Sequence, residues 1–405
     1  MQMRMQKRQK RNFWCVVAAA LAITLAAVGC GNANKKNSKE ANARWNSARA
    51  NVLCSLAKDQ YKSGAFDKCR KTVTDALKMD PTHGELRILS AKLAIEQGQL
   101  DMAERELETA RKYAPNNPQG YYLAGVVYQR WQKPERAYEF YTAASDKAPG
   151  ELPFVLARAE MLVELDRSDE ALALLQSKVT YFENSAAIRD AVGQLLMQQR
   201  KYHDAVDLFR QASVLEDQEQ GFKERYGLAL FYDKQYSEAV DVLGKLVTKE
   251  GYTERADLLS ALGESQLRLG KTRDARHTFE SAAQINPSNA KAWVGLGQAA
   301  METRDYRRAE LALKKALHLE PNAAEVHLMV GYLRLRQEKL KEALASFQKA
   351  SALDDKDTVS VCMIGYVYEK TGRSDLAMKY YGKALKQKPT DPLASKLMAG
   401  VDLND

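Results

Sequence analysis

From about Asn51 to Asp391, apolar residues recur at the 3.6-residue spacing of helices, as paired stripes separated by short polar turns. One pattern returns along this stretch. A small residue is followed twelve positions later by Ala (Cys69 in the first copy), then four positions on by a bulky apolar residue, then three positions on by a second Ala, with Lys178 and Leu246 as the exceptions. The small residue is Gly at 125, 193, 227, 263, 297, 331 and 365, and Ala at 57, 91 and 159. The bulky residue is Val73, Leu107, Tyr141, Leu175, Phe209, Leu243, Phe279, Leu313, Phe347 or Tyr381. Successive copies start 34 residues apart, except for a step of 36 between the sixth and seventh, which gives ten copies. Pro closes six of them, at 81, 115, 149, 287, 321 and 389. It ends a helix because it lacks the amide and disfavours helix at the residue before it. No run alternates in β-branched residues, so the expected fold is all-α with no sheet.

Each unit of this pattern presents two apolar stripes and cannot bury both alone, so neighbours must stack. The small residue is expected to face the Ala of the second helix, and the bulky residue to fill the space between units. Copies four to six lack the closing Pro, so their turns should be less fixed. Residues Lys249 to Glu254 hold the two extra positions and are the expected place of a bend.

The eighth copy, with Trp293, Leu296, Gly297, Tyr306, Ala309, Leu313, Ala316 and Pro321, resembles the tetratricopeptide repeat, a helix–turn–helix unit of this length. The resemblance implies a right-handed superhelical solenoid of about ten repeats over residues 50–391. Residues 392–405 are expected to form a capping helix and tail. It also implies that the first helix of each repeat lines a concave surface that receives protein or peptide partners.

The ends of the chain change this picture. Residues 1–12 are cationic, and 13–29 (FWCVVAAALAITLAAVG) carry no charge. This is the layout of an export signal, with 1–29 as the leader. Ala27-Val28-Gly29-Cys30 resembles the lipobox of bacterial lipoproteins, which implies lipidation of Cys30 (palmitate among the acyl chains) and a membrane anchor. Gly31, rather than Asp, implies the outer membrane, with the fold facing the periplasm. Residues 30–49 read as the lipidated Cys and a polar tether. An uncleaved transmembrane anchor is the alternative for the apolar run.

Composition refines the function class. Hydrophobic residues make up 45% and charged residues 28%, as in a foldable chain. The formal net charge is +9, but five cations precede residue 30, and the remaining +4 suits a solvated surface rather than a nucleic-acid footprint. Beyond Cys15 and Cys30 only Cys54, Cys69 and Cys362 remain, with no C-x-x-C pair. The five histidines are scattered; His318 and His327 straddle a turn and do not form a zinc pair. Neither a phosphate-binding loop nor a nucleophile elbow is present. No metal, cofactor or enzymatic activity is therefore expected.

The first-helix stripe supplies the candidate binding residues. It holds Tyr122 and Val126; Leu228, Phe231 and Tyr232; and acids at Glu160, Glu164, Asp190, Glu224 and Glu264. Near the C-terminal end, Leu328, Tyr332 and Leu335 share a stripe that Tyr366 continues, with Arg336 and Lys370 beside them one repeat apart. These six form the candidate partner groove, whose apolar anchors and cationic rim suit an aliphatic segment with acidic neighbours. The plain alternative is that the tyrosines pack under the next helix. The reading is a non-enzymatic interaction scaffold, anchored by lipid at the outer membrane and serving assembly of a pilus, secretion or polysaccharide-export complex. A glycan- or peptidoglycan-binding module is the alternative.

Overall fold

The computed structural model describes residues 35–400, with side chains from Glu40 onward. Every regular element among them is a helix, and there are 21. The chain divides into two compact units, with the boundary after Leu165. The first unit contains α1 (Lys35–Lys62), α2 (Phe66–Met79), α3 (Gly84–Glu96), α4 (Leu100–Tyr113), α5 (Pro118–Arg130), α6 (Pro134–Lys147) and α7 (Leu152–Glu164). The second begins with α8 (Ser168–Val179), α9 (Ala186–Gln198), α10 (Tyr202–Leu215), α11 (Gln220–Tyr232), α12 (Tyr236–Leu246) and α13 (Ala256–Arg268). It continues through α14 (Thr272–Ile285), α15 (Ala290–Glu302), α16 (Tyr306–Leu319), α17 (Ala324–Arg336), α18 (Leu340–Leu353), α19 (Thr358–Lys370), α20 (Ser374–Gln387) and α21 (Pro392–Met398).

The period is visible in the backbone as well as in the side chains. Inside each helix pair the turn holds one residue in the left-handed region. It is Gly64, Gly98, Gln132, Asp166, Arg200, Lys234, Gly270, Arg304, Glu338 or Gly372, with φ between +56° and +75°. These ten lie 34 apart, with the single 36-residue step between Lys234 and Gly270. The conformation lets the next amide reach back five residues, as from Lys133 to Tyr128 and from Lys339 to Arg334, at 3.0 and 2.9 Å. That bond satisfies a carbonyl at the helix end that the helix itself cannot pair. Six of the turns thus use a residue other than glycine at φ > 0, which is why the turns are not obvious in the sequence.

In the seven copies that have glycine as the small residue, it seats the bulky side chain of its own repeat, and the second-helix position twelve residues on lies close as well, the Ala377 carbonyl falling 3.2 Å from where a β-carbon at Gly365 would stand. A β-carbon at Gly125 would fall 2.5 Å from the Tyr141 ring, and one at Gly193 would fall 2.7 Å from that of Phe209. The bulky side chain also reaches the following repeat where a second glycine allows it. A β-carbon at Gly295 would lie 2.4 Å from Phe279, whose ring is also against Gly263. The Ala positions close the same core: Ala275, Phe279 and Ala282 of α14 are all buried.

Starts and stops follow local chemistry. Asn117 accepts from the Gln119 amide at 3.0 Å with Pro118 in the first turn of α5, and Asp357 caps α19 through the Val359 and Ser360 amides. Where Pro is missing, α8 and α12 shorten to 12 and 11 residues, whereas α10 keeps 14. The two extra residues fall in the connection between α12 and α13, where Gly251 has φ +81°. At the other end, α21 packs on α19 and α20. It puts Ala394 and Leu397 into a cluster with Phe347, Tyr366, Val367 and Tyr381.

The helix of the first repeat is longer than its pattern requires. It begins at Lys35, so residues 35–49 of the expected tether are helical. Ala41, Ala43, Ala48 and Ala50 favour that state, and Ala50 is buried where the helix meets its repeat. The leader, Cys30 and residues 401–405 lie outside the described residues.

Candidate functional site

In the second unit, the first helices of repeats six, seven and eight (α11, α13 and α15) enclose a cleft of about 560 Å³. Residues three to four apart on a helix share a face, so α11 presents Leu228, Phe231 and Tyr232, α13 presents Ser260, Glu264 and Leu267, and α15 presents Val294 and Gln298. Phe279, seated by Gly263 and Gly295, lies at its base. Tyr232 is 48% exposed, packs edge-on to Phe231 at 5.1 Å and stacks on Tyr202 at 5.3 Å. Two half-buried rings therefore flank a third that faces solvent, which suits Tyr232 as an anchor for a partner.

Charge around this cleft is organised by Arg255. Its guanidinium pairs with Glu224 at 2.6 Å and with Asp257 at 2.8 Å. That hydrogen bond, ahead of any other influence, holds the Asp257 carboxyl below its usual range. Asp257, Glu264, Lys291 and Glu325 also line the cleft, so its polar groups carry both signs. Ser260 offers no nucleophile. Its hydroxyl donates to the Ala256 carbonyl at 2.7 Å and accepts from Asn289, and no histidine lines the cleft. Among the described residues, no group of three or more His, Cys, Asp or Glu side chains is placed to hold a metal ion. The arrangement is suited to burying apolar side chains of a peptide while hydrogen-bonding its backbone.

The six residues of the predicted groove lie together around α17 and α19, but not as an open surface. Tyr366 is only 6% exposed and belongs to the C-terminal cluster, which corrects its expected role as an anchor. Leu328, Tyr332 and Leu335 pack against that cluster. Tyr332 stands edge-on to Phe347 at 5.5 Å, and burial, with help from Asp357 and Cys362, pushes its hydroxyl up to about 12. Arg336 and Lys370 remain exposed, and the Lys370 ammonium lies 5.2 Å from the centre of the Tyr366 ring. The physical reason is that α19 is buried along nearly its whole length and α21 closes the end of the array. A one-repeat sequence comparison does not contain that covering helix.

The acids of the stripe are similarly engaged. Asp190 is bonded to Arg225 and Gln194, Glu224 to Arg255, Glu160 to Gln129 and Glu264 to Arg268. They join successive repeats more than they repel a ligand. Partners 31 to 35 residues away, such as Glu224 with Arg255 and Asp190 with Arg225, were the available sequence signal.

Comparison with known proteins follows the same line. The model of the cilia and flagella-associated protein 70 C-terminal domain matches residues 223–404, and a tetratricopeptide repeat model matches residues 60–125. The chain is 26% identical over 251 residues to tetratricopeptide repeat protein 21B of Xenopus laevis, covering 59% of this chain and 18% of that protein. It is 22% identical to the BBSome complex member BBS4 of Bos taurus (55% and 43% covered) and 23% identical to the TPR repeat-containing protein YpiA of Bacillus subtilis (51% and 48%). The chain thus spans less than half the length of each of these relatives. Among solved structures, a thermophilic TPR protein of Thermus thermophilus aligns with 23% identity and a TM-score of 0.40, covering 45% of this chain and 98% of that one. The C-terminal part of a TPR repeat-containing protein of Cytophaga hutchinsonii aligns with 20% identity and a TM-score of 0.44, covering 60% and 98%. With ten helix pairs in a 34-residue register and a tetratricopeptide repeat model matching residues 60–125, the fold is an α-solenoid of tetratricopeptide repeats, a repeat that generally mediates protein–protein interactions.

Proposed function

We propose that this chain is a non-enzymatic scaffold that holds a protein partner in the cleft of its second unit, at the periplasmic face of an outer membrane. The cleft carries the reading. Leu228, Phe231 and Tyr232 present apolar and aromatic surface beside a polar rim of Asp257, Glu264 and Lys291. Such a surface recognises a peptide by burying one or two anchors. The glycan alternative gains nothing from Trp131 or Trp293. The Trp293 indole donates to the Pro287 carbonyl at 2.9 Å, and Trp131 stands edge-on to Tyr128.

Lipid attachment at Cys30 rests on the sequence Ala27–Cys30 behind an apolar run. Service to a pilus, secretion or polysaccharide-export complex follows from that address together with the scaffold fold. The test places a photo-crosslinking residue at Tyr232 in intact cells and a control at Val214, 74% exposed on α10. A partner trapped from 232 and not from 214, whose binding to the purified chain falls when Tyr232 is replaced by Ala, supports the reading. Equal trapping from both positions refutes it. Intact mass of the mature protein tests the anchor separately.

A further inference from the structure

We infer that the first unit carries a second docking cleft, electropositive in character, in which Lys58, Lys62 and Lys92 receive an extended protein segment with acidic side chains two residues apart. The cleft encloses about 400 Å³ between α1, α3 and the start of α5. Ile88 and Leu89 of α3 form its apolar floor, and Asn117 and Gln119 its amide wall. Lys58 and Lys92 occupy equivalent places in repeats one and two, 34 residues apart, and Lys62 lies one turn beyond Lys58 on α1.

The three amines are not balanced by acids. Glu85 is the one carboxylate lining the cleft, and it is bound to Lys58 at 2.6 Å while also accepting from the Cys54 thiol at 3.7 Å. Tyr61 turns its hydroxyl to Glu96 at 3.5 Å. Lys92 is half-buried, and no carboxylate among the described residues pairs with it. Burial first, and then the Lys58 ammonium, push the Lys92 amine below its ordinary pKa. A partly desolvated cation beside a like charge is unfavourable, and an incoming carboxylate relieves both effects.

Geometry selects acidic side chains over a chain terminus. Lys58 and Lys62 are separated along the helix axis by about 6 Å. Alternate side chains of an extended segment are about 7 Å apart, so two acids at i and i+2 match one turn of α1. A terminal carboxylate is a single anion and leaves the other amines unmet.

The experiment measures fluorescence anisotropy of labelled, N-acetylated and C-amidated Gly-Asp-Leu-Asp-Leu-Asp-Gly with the full chain. The expected result is saturable binding that weakens with salt, with about tenfold lower affinity for the Asn-for-Asp peptide and for Lys92→Met. Lys92→Met should melt at the same temperature as wild type or higher. Exposed Lys62→Met, which leaves the core untouched, should lose about threefold. Equal binding of the Asn peptide, unchanged affinity in both lysine variants, or binding only by a version with a free C-terminal carboxylate would each overturn the inference.

Discussion

Gly331 lies under the ring of Phe347, sixteen residues later, so closely that a β-carbon at 331 would come within 2.4 Å of Cε1. The ring is fully buried, so it has little space into which to retreat. The same pairing in the tenth repeat sets Gly365 against Tyr381, whose hydroxyl donates to Glu369 at 2.6 Å.

Gly331→Ala should therefore cost about 1–3 kcal/mol, the usual penalty for overpacking. Since repeats couple chiefly to their neighbours, hydrogen exchange should quicken in α17 to α20 and stay unchanged in α1 to α4. Uniform quickening along the chain would contradict this.

Replacing Tyr332 and Tyr366 together by Ala should destabilise the C-terminal cluster. Loss of a buried aromatic costs about 3–5 kcal/mol, with less for the half-covered Tyr332. By contrast, Tyr232→Ala should leave the melting temperature nearly unchanged and weaken partner binding by about 2 kcal/mol or more. Denaturation curves for both variants, read beside a binding titration of the Tyr232 variant, separate a structural tyrosine from a binding one.

Docking of α21 depends on Asp391. Burial alone would raise its pKa, but the Ala394 amide and the Thr358 hydroxyl, at 2.9 and 2.7 Å, together with Lys388, hold it below the ordinary 3.8. A depressed folded pKa means that the contribution is present above about 3.8 and is lost as pH falls through the folded value. Exchange protection of α21 should fall in that acid window before protection of α14 does. Thr358→Val should reproduce part of the loss at neutral pH.

Cys54, Cys69 and Cys362 are free and buried. Burial pushes the Cys362 thiol up to about 12, which leaves little thiolate at pH 8. Mass spectrometry should show all three alkylated after unfolding without reductant, and Cys362 unlabelled in the native chain. A missing pair of labels in the unfolded sample would reveal a disulfide.

The repeat core was readable because it is written in local spacing. Ala309, Leu313 and Ala316 declare a helix face by themselves, and the 36-residue step located the longer connection. What lay beyond reach depends on residues far apart in sequence. The burial of Tyr366 needs the α21 cluster, and the engagement of Asp190 needs Arg225 in the next repeat. The Lys58–Glu85 pair and the cleft around Lys92 arise only when α1 and α3 stand side by side. Trp45 and its neighbours read as polar linker because residues 31–44 are rich in Asn, Lys and Ser, although helix propensity at Ala41, Ala43 and Ala48 already favoured continuation.

Six of the ten left-handed turns use Gln, Asp, Arg, Lys or Glu where the other four use Gly. A side chain there costs about 1–2 kcal/mol of backbone strain, partly offset by the smaller entropy that a non-glycine residue loses on folding. The chain thus holds six independent sites at which heat tolerance can be raised in small steps. All six sit at helix ends and none lines either cleft. Thermal hardiness is therefore adjustable at positions that touch neither cleft, and the array can be toughened for engineering or crystallisation with the lining of both left in place.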